Sequence, residues 1–188
     1  MSELSIFNEI VKKKIEGVMF HDDMANIMDF MGLRGFKRQQ EYRALSEFIE
    51  MRNIERYAIN HINYMSNGKG ANRVVDVIPD SWYNATRFQV SDSDRKTHLK
   101  DLFNKWRTWE IETKSFLQSS FKELCSMGAI ASANKVNELI CDVDEELKCL
   151  EREILEFSAV GWDMVYIIEI QYDMHEKYKK KTKELTIE

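Results

Sequence analysis

The sequence predicts an all-α protein: an antiparallel four-helix bundle with a long crossover between its second and third helices. Three observations predict it. The 188 residues include one proline and seven glycines, so helix breakers are scarce. Four stretches of roughly 28 to 33 residues carry apolar side chains at helical spacing. Breaks at residues 32–35, at residues 66–70 and at Gly128 separate those stretches, and the first and last of them are short enough to force antiparallel neighbours.

The first helix is expected over residues 4–31. Phe7, Ile10, Val11, Val18, Ala25 and Met28 form its apolar stripe, with Lys14 also on the inner side. His21 falls at the centre of that stripe, whereas Glu16 points the opposite way. The second helix is expected over residues 36–65. With Glu47 as the zero of a helical wheel, Phe36, Ala44, Met51, Ile54, Ala58, Ile62 and Met65 fall within roughly 60° of it. Glu47 therefore lies inside the helix's own core stripe, and Glu50 at that stripe's edge. Tyr42, Leu45 and Ile49 make a second apolar row on the opposite side. The crossover, the last helix or a second copy of the chain could cover it, and a homo-oligomer, simplest as a dimer, is the expectation.

Residues 66–97 have a different texture. Val74 to Ile78 is β-branched, Pro79-Asp80-Ser81 reads as a cap before a short helix at 82–88, and Ser91-Asp92-Ser93-Asp94 as a second cap. A connection this long suits a crossover running the length of a bundle. The third helix is expected over residues 95–127, with Leu99, Leu102, Trp106, Trp109, Thr113, Leu117, Ser120 and Leu124 inside and Glu110 at the edge. The fourth begins near Ile130 and shows Val136, Leu139, Val143, Leu147, Leu150, Ile154 and Phe157, with Glu146 beside that stripe and Asp142 at its margin. Gly161 marks a break, after which residues 162–180 continue as helix. The whole reads as one domain, 1–188, with 66–97 as the crossover and 161–188 as a C-terminal extension.

Composition narrows the function. A net charge of −5 and a pI near 5.5 argue against nucleic acid as the main partner. Cys125, Cys141 and Cys149 are odd in number and lack CxxC spacing, which suits reduced thiols in a cytoplasmic protein, and Cys141 and Cys149 read as packing residues. No signal peptide is expected, and no apolar run approaches the ~18 residues a bilayer requires. There is no phosphate-binding glycine loop, no GxSxG and no HExxH.

A carboxylate inside a core stripe must be protonated, paired or bound to a metal. Lys14 is one possible partner. Height along the bundle suggests others. His21 lies about 12 residues before the first turn and Glu47 about 13 after it, so both stand roughly 20 Å from that turn. Glu110 and Glu146 each lie about 18 residues from Gly128, or roughly 27 Å. With the crossover placing the two turns at opposite ends, His21, Glu47, Glu110 and Glu146 fall in one layer, with Glu50 and Asp142 one turn away. One histidine or carboxylate from each helix is the donor set that a pair of hard cations requires.

At this point the chain resembles the ferritin-like superfamily. The second helix opens on Gly35-Phe36, and a dozen residues later, where the family carries E-x-x-H, this chain reads Glu47-Phe48-Ile49-Glu50. Glu50 stands in the place of the histidine. The fourth helix offers Asp142-Val143-Asp144-Glu145-Glu146 in place of a second E-x-x-H, and His21 stands where the first helix usually supplies a glutamate. The resemblance implies an iron or manganese di-metal centre on His21, Glu47, Glu50, Glu110, Asp142 and Glu146, with metal storage or metal-assisted oxidation as its task. The texture is also similar to uncharacterised phage and prophage proteins. That likeness implies a metal-free helical protein in the host cytoplasm that binds and modulates a host or phage protein.

Overall fold

Ser2 opens the first helix by accepting the backbone N–H of Ser5 on its hydroxyl, 3.1 Å away. That helix is α1 (Glu3–Phe30), followed by α2 (Arg34–Tyr57), a π-helical turn at Ala58–Ile62, α3 (Leu99–Ser126), α4 (Ile130–Ala159) and α5 (Met164–Leu185). The computed structural model describes residues 2–62 and 99–185, and no strand occurs among them. The expectations for residues 63–98, including the crossover, the caps and the short helix around Trp82 and Tyr83, lie outside the described residues.

The chain divides into two compact units, Met1–Val90 with Ile168–Glu188, and Ser91–Ile167. In the first, α1 and α2 form an antiparallel pair. Gly32 closes α1 at φ 78°, a conformation a side chain would strain, while Leu33 N–H reaches back to Met28 O at 2.8 Å. α2 therefore begins at Arg34, two residues earlier than its apolar pattern alone suggests. The core of the pair includes Phe7, Ile10, Val11, Met24 and Met28 from α1 and Phe36, Ala44 and Ile54 from α2. At the far end Phe7 stacks on Tyr57 and Tyr57 on His61, with ring centroids 5.5 and 5.0 Å apart.

α5 joins this unit from Ile168 onward. It lies against a different side of α2 from α1, at Gly35, Gln39 and Tyr42, the last of these from the second apolar row. Gln39 Nε2 donates to Tyr178 Oη at 3.1 Å, and the Tyr42 and Tyr178 rings lie 5.5 Å apart. Of the three occupants that row left open, the last helix takes Tyr42. The approach is close at Gly35, where a Cβ would lie 2.0 Å from the backbone oxygen of Gln171. Only a residue without a side chain admits α5 there.

The second unit is built on apolar periodicity. Every inner position expected for α3 is buried except Trp109, which is half-buried, and Phe103 and Glu110 are buried beside them. On α4 only Ile154 of the expected stripe is half-buried. Phe103, Phe157 and Trp162 form an aromatic cluster with centroids 5.3 to 5.9 Å apart. Gly161 and Trp162 both take positive φ after α4, and Asp163 Oδ1 then caps α5 by accepting from Val165 and Tyr166 N–H. Cys125, Cys141 and Cys149 are all exposed free thiols, so the packing role expected of Cys141 and Cys149 is not what they do. Both lie on the solvent side of α4.

Candidate functional site

The register of α1 against α2 is constant. Lys14 stands opposite Glu47, and His21, seven residues on, stands opposite Gln40, seven residues back. Two layers result, about 10 Å apart along the helices at 1.5 Å per residue. His21 and Glu47 are therefore in different layers. Matching their distances from the turn placed them together because that count took the end of α1 and the start of α2 as level, whereas in this register Arg34 stands level with Ile27.

The Lys14 layer is a buried ion triad. Lys14 Nζ lies 3.3 and 3.2 Å from the two Glu47 oxygens and 2.6 Å from Glu50 Oε2. Lys14 is 1% exposed and Glu47 5%, so neither charge is screened by solvent. Glu50 also accepts from Ser46 Oγ at 3.4 Å. Burial by itself would push the Lys14 pKa down. The attraction of Glu47 and Glu50, together with their hydrogen bonds, more than offsets burial and holds it well above its ordinary value. Lys14 is thus a firmly charged ammonium between two carboxylates. Gly17 makes the room, because a Cβ there would lie 2.9 Å from Glu47 Oε2. The i to i+3 spacing of Glu47 and Glu50 puts both carboxylates on one face of α2, and Lys14 bridges them.

In the other layer, His21 Nδ1 lies 2.7 Å from Gln40 Oε1. His21 is wholly buried, and its pKa is lowered to about 3. Desolvation is the main cause, the Gln40 hydrogen bond opposes it, and the positive charges of Arg43 and Lys14 add to it. The ring is neutral at physiological pH. Gln39 and Gln40, both 1% exposed, are parts of this polar core that apolar periodicity does not single out. A signal for Gln40 was there, since it sits two turns before Glu47 on the same face.

In the second unit Glu110 is fully buried and accepts the indole N–H of Trp106, one turn earlier, at 2.8 Å. The ion pairs Arg107–Glu151 and Lys114–Asp144 mark the register of α3 on α4. That register leaves Glu110 and Glu146 about two residues apart in height, or roughly 3 Å. Glu146 is half-buried and Asp142 is exposed. The paired Asp144 has its pKa lowered by hydrogen bonds from Lys114 and Lys148.

A metal fits the first unit's part of this set poorly. A divalent cation on Glu47 and Glu50 would sit within a few ångströms of the Lys14 ammonium, and the raised pKa makes losing that proton costlier than in water. Among the described residues no group of three or more His, Cys, Asp or Glu side chains is placed to hold a metal ion.

No family model matches the chain, and no curated relative does. Solved structures do. An engineered closed form of the Archaeoglobus fulgidus ferritin aligns with a TM-score of 0.71 and 12% identity, covering 93% of this chain and 96% of that one. The open-pore ferritin of the same archaeon gives 0.71 and 12% over 92% and 95%. A humanized archaeal ferritin gives 0.71 and 14% over 93% and 97%. At such identities the likeness establishes the fold: the chain is an all-α, ferritin-like four-helix bundle. No helix among the described residues is long and apolar enough to cross a membrane.

Proposed function

We propose that this chain is a ferritin-like bundle in which a lysine does the work a metal would otherwise do for the carboxylates of the first helix pair, and that it functions as a protein-binding module. The observation that carries the reading is the Lys14 ammonium, 2.6 to 3.3 Å from three carboxylate oxygens of Glu47 and Glu50. It supplies positive charge at the place where bridging carboxylates need it, and it does so with no redox chemistry. The E-x-x-E spacing agrees, since the second carboxylate gives the lysine a second partner where a histidine would give a metal a ligand.

The binding surface that best suits such a module is in the second unit. Leu155, Val160, Met164 and Val165 are exposed there, and Leu155 and Val165 are each about 70% exposed. Glu151, Glu153, Glu156 and Asp163 flank them in sequence. Exposed apolar side chains with acidic sequence neighbours fit a basic protein segment with an apolar face.

The competing reading is an iron or manganese centre on His21, Glu47, Glu50, Glu110, Asp142 and Glu146, with Lys14 displaced when the metal enters. Elemental analysis of protein purified without chelator separates the two. The lysine reading expects no stoichiometric iron, manganese or zinc, and no thermal shift on adding Fe²⁺ or Mn²⁺. Stoichiometric metal that raises the melting temperature would replace it with the metal reading.

A further inference from the structure

A cavity of about 480 Å³ opens in the first unit, away from the ion triad, lined by Gly32, Arg34, Gly35, Gln171, Tyr172 and His175. Among the described residues no carboxylate lines it. Its side chains bring hydrogen-bond donors, and these are unclaimed. Among the described residues Arg34 has neither ion pair nor hydrogen bond, although Lys37 and Arg38, one turn on, are paired with Asp29 and Glu41 at 2.9 and 3.2 Å. Gln171 is 8% exposed; its oxygen takes the Gly35 N–H at 3.5 Å, while its amide nitrogen has no partner among the described residues. The N-terminus of α2 adds to this. Its cap residue, Leu33, contributes no side-chain hydrogen bond, and no acidic residue lies in its first turn.

We propose that this cavity binds a phosphate group, with the Arg34 guanidinium and the start of α2 holding its oxygens and the Gln171 amide completing the donor set. Unpaired donors around one cavity favour an anion, and a guanidinium beside backbone N–H groups matches the oxygens of a phosphate. The volume far exceeds a bare phosphate, and the Tyr172 ring, 71% exposed at the rim, offers a face to a planar substituent. Free phosphate and the phosphate of a monoester share this chemistry. The inference stands whatever the role of Lys14.

The test is a titration of the whole protein with inorganic phosphate and, separately, with adenosine monophosphate, followed by amide chemical shifts and calorimetry. Saturable binding of either ligand that shifts Gly35 and weakens about tenfold or more in Arg34→Gln supports the site. Tyr172→Ala assigns the source: it weakens the nucleotide alone if the monoester uses the rim, and leaves both unchanged if free phosphate is the ligand. Neither residue is in the core, so the fold survives both changes. No saturable binding up to about 10 mM of either probe, or equal affinity in wild type and Arg34→Gln, overturns the proposal.

Discussion

The two long helix pairs of this molecule place their charges oppositely. In α1–α2 the cross-helix charges at mid-length are inside, although Lys37 and Asp29 pair at the surface beside the turn: Lys14, Glu47 and the neutral polar groups of His21, Gln39 and Gln40 are all 5% exposed or less. In α3–α4 the cross-helix ion pairs, Arg107–Glu151 and Lys114–Asp144, are at the surface, and the interior is apolar apart from Glu110 and a few small polar side chains. Both pairs have a constant register. In the first it is set by buried contacts that tolerate no slip, because a shift by one turn would leave two carboxylates without their ammonium. In the second it is set by shape, with surface charges adding little. Buried polarity here specifies alignment at a cost that apolar packing does not incur.

The contrast is sharpest at the two lysines. Lys14→Met should cost about 3 to 5 kcal/mol in urea denaturation, because it strands buried carboxylates. Lys114→Met, in the partly solvated pair, should cost about 0 to 1 kcal/mol. Comparable losses in the two variants would break the distinction drawn between the helix pairs.

Acid should act through the first pair. His21 has a folded pKa of about 3 against an ordinary 6.5, so between those values the unfolded chain binds the extra proton. Its contribution is fully present above pH 6.5 and is lost as pH falls below that. The slope is about 1.4 kcal/mol per pH unit, or roughly 2 kcal/mol by pH 5. Stability curves of wild type and His21→Gln should therefore converge as pH falls from 6.5 to 4. Parallel curves would mean that the ring charges inside the fold.

Close approach gives a third comparison. Gly35→Ala should destabilise the protein by about 1 to 3 kcal/mol, since the new Cβ meets backbone of α5. Gly17→Ala should cost less, because the atom it meets is the end of the Glu47 side chain, though that shift loosens the triad. At Gly128 an added Cβ would meet no atom within 4 Å, and only the φ of 74° resists substitution. The expected cost there is about 1 kcal/mol, read like the others from urea denaturation.

Much of this was legible in the sequence. Helical spacing in Leu99 to Leu124 and Val136 to Phe157 outlined both inner faces of the second unit nearly residue by residue, because an apolar core is periodic and periodicity is readable. Glu47 and His21 stood out as polar residues on apolar faces, and both are buried. Which groups they would meet was not legible, because a partner is set by register between helices, and nothing in the sequence says that Arg34 stands level with Ile27 rather than with the end of α1. Glu47 therefore faces Lys14, and His21 faces Gln40. The closeness of α5 at Gly35 also left no pattern, since a glycine after a turn reads first as punctuation.

A double-mutant cycle on Lys14 and Glu47, run in chelator and again with added Fe²⁺ or Mn²⁺, tests the lysine reading most directly. The prediction is that Lys14→Met with Glu47→Leu loses less stability than Lys14→Met alone. The coupling should be about 1 to 3 kcal/mol and unchanged by metal. Additive single losses, or a metal-dependent gain in wild type that Glu47→Leu abolishes, would contradict it.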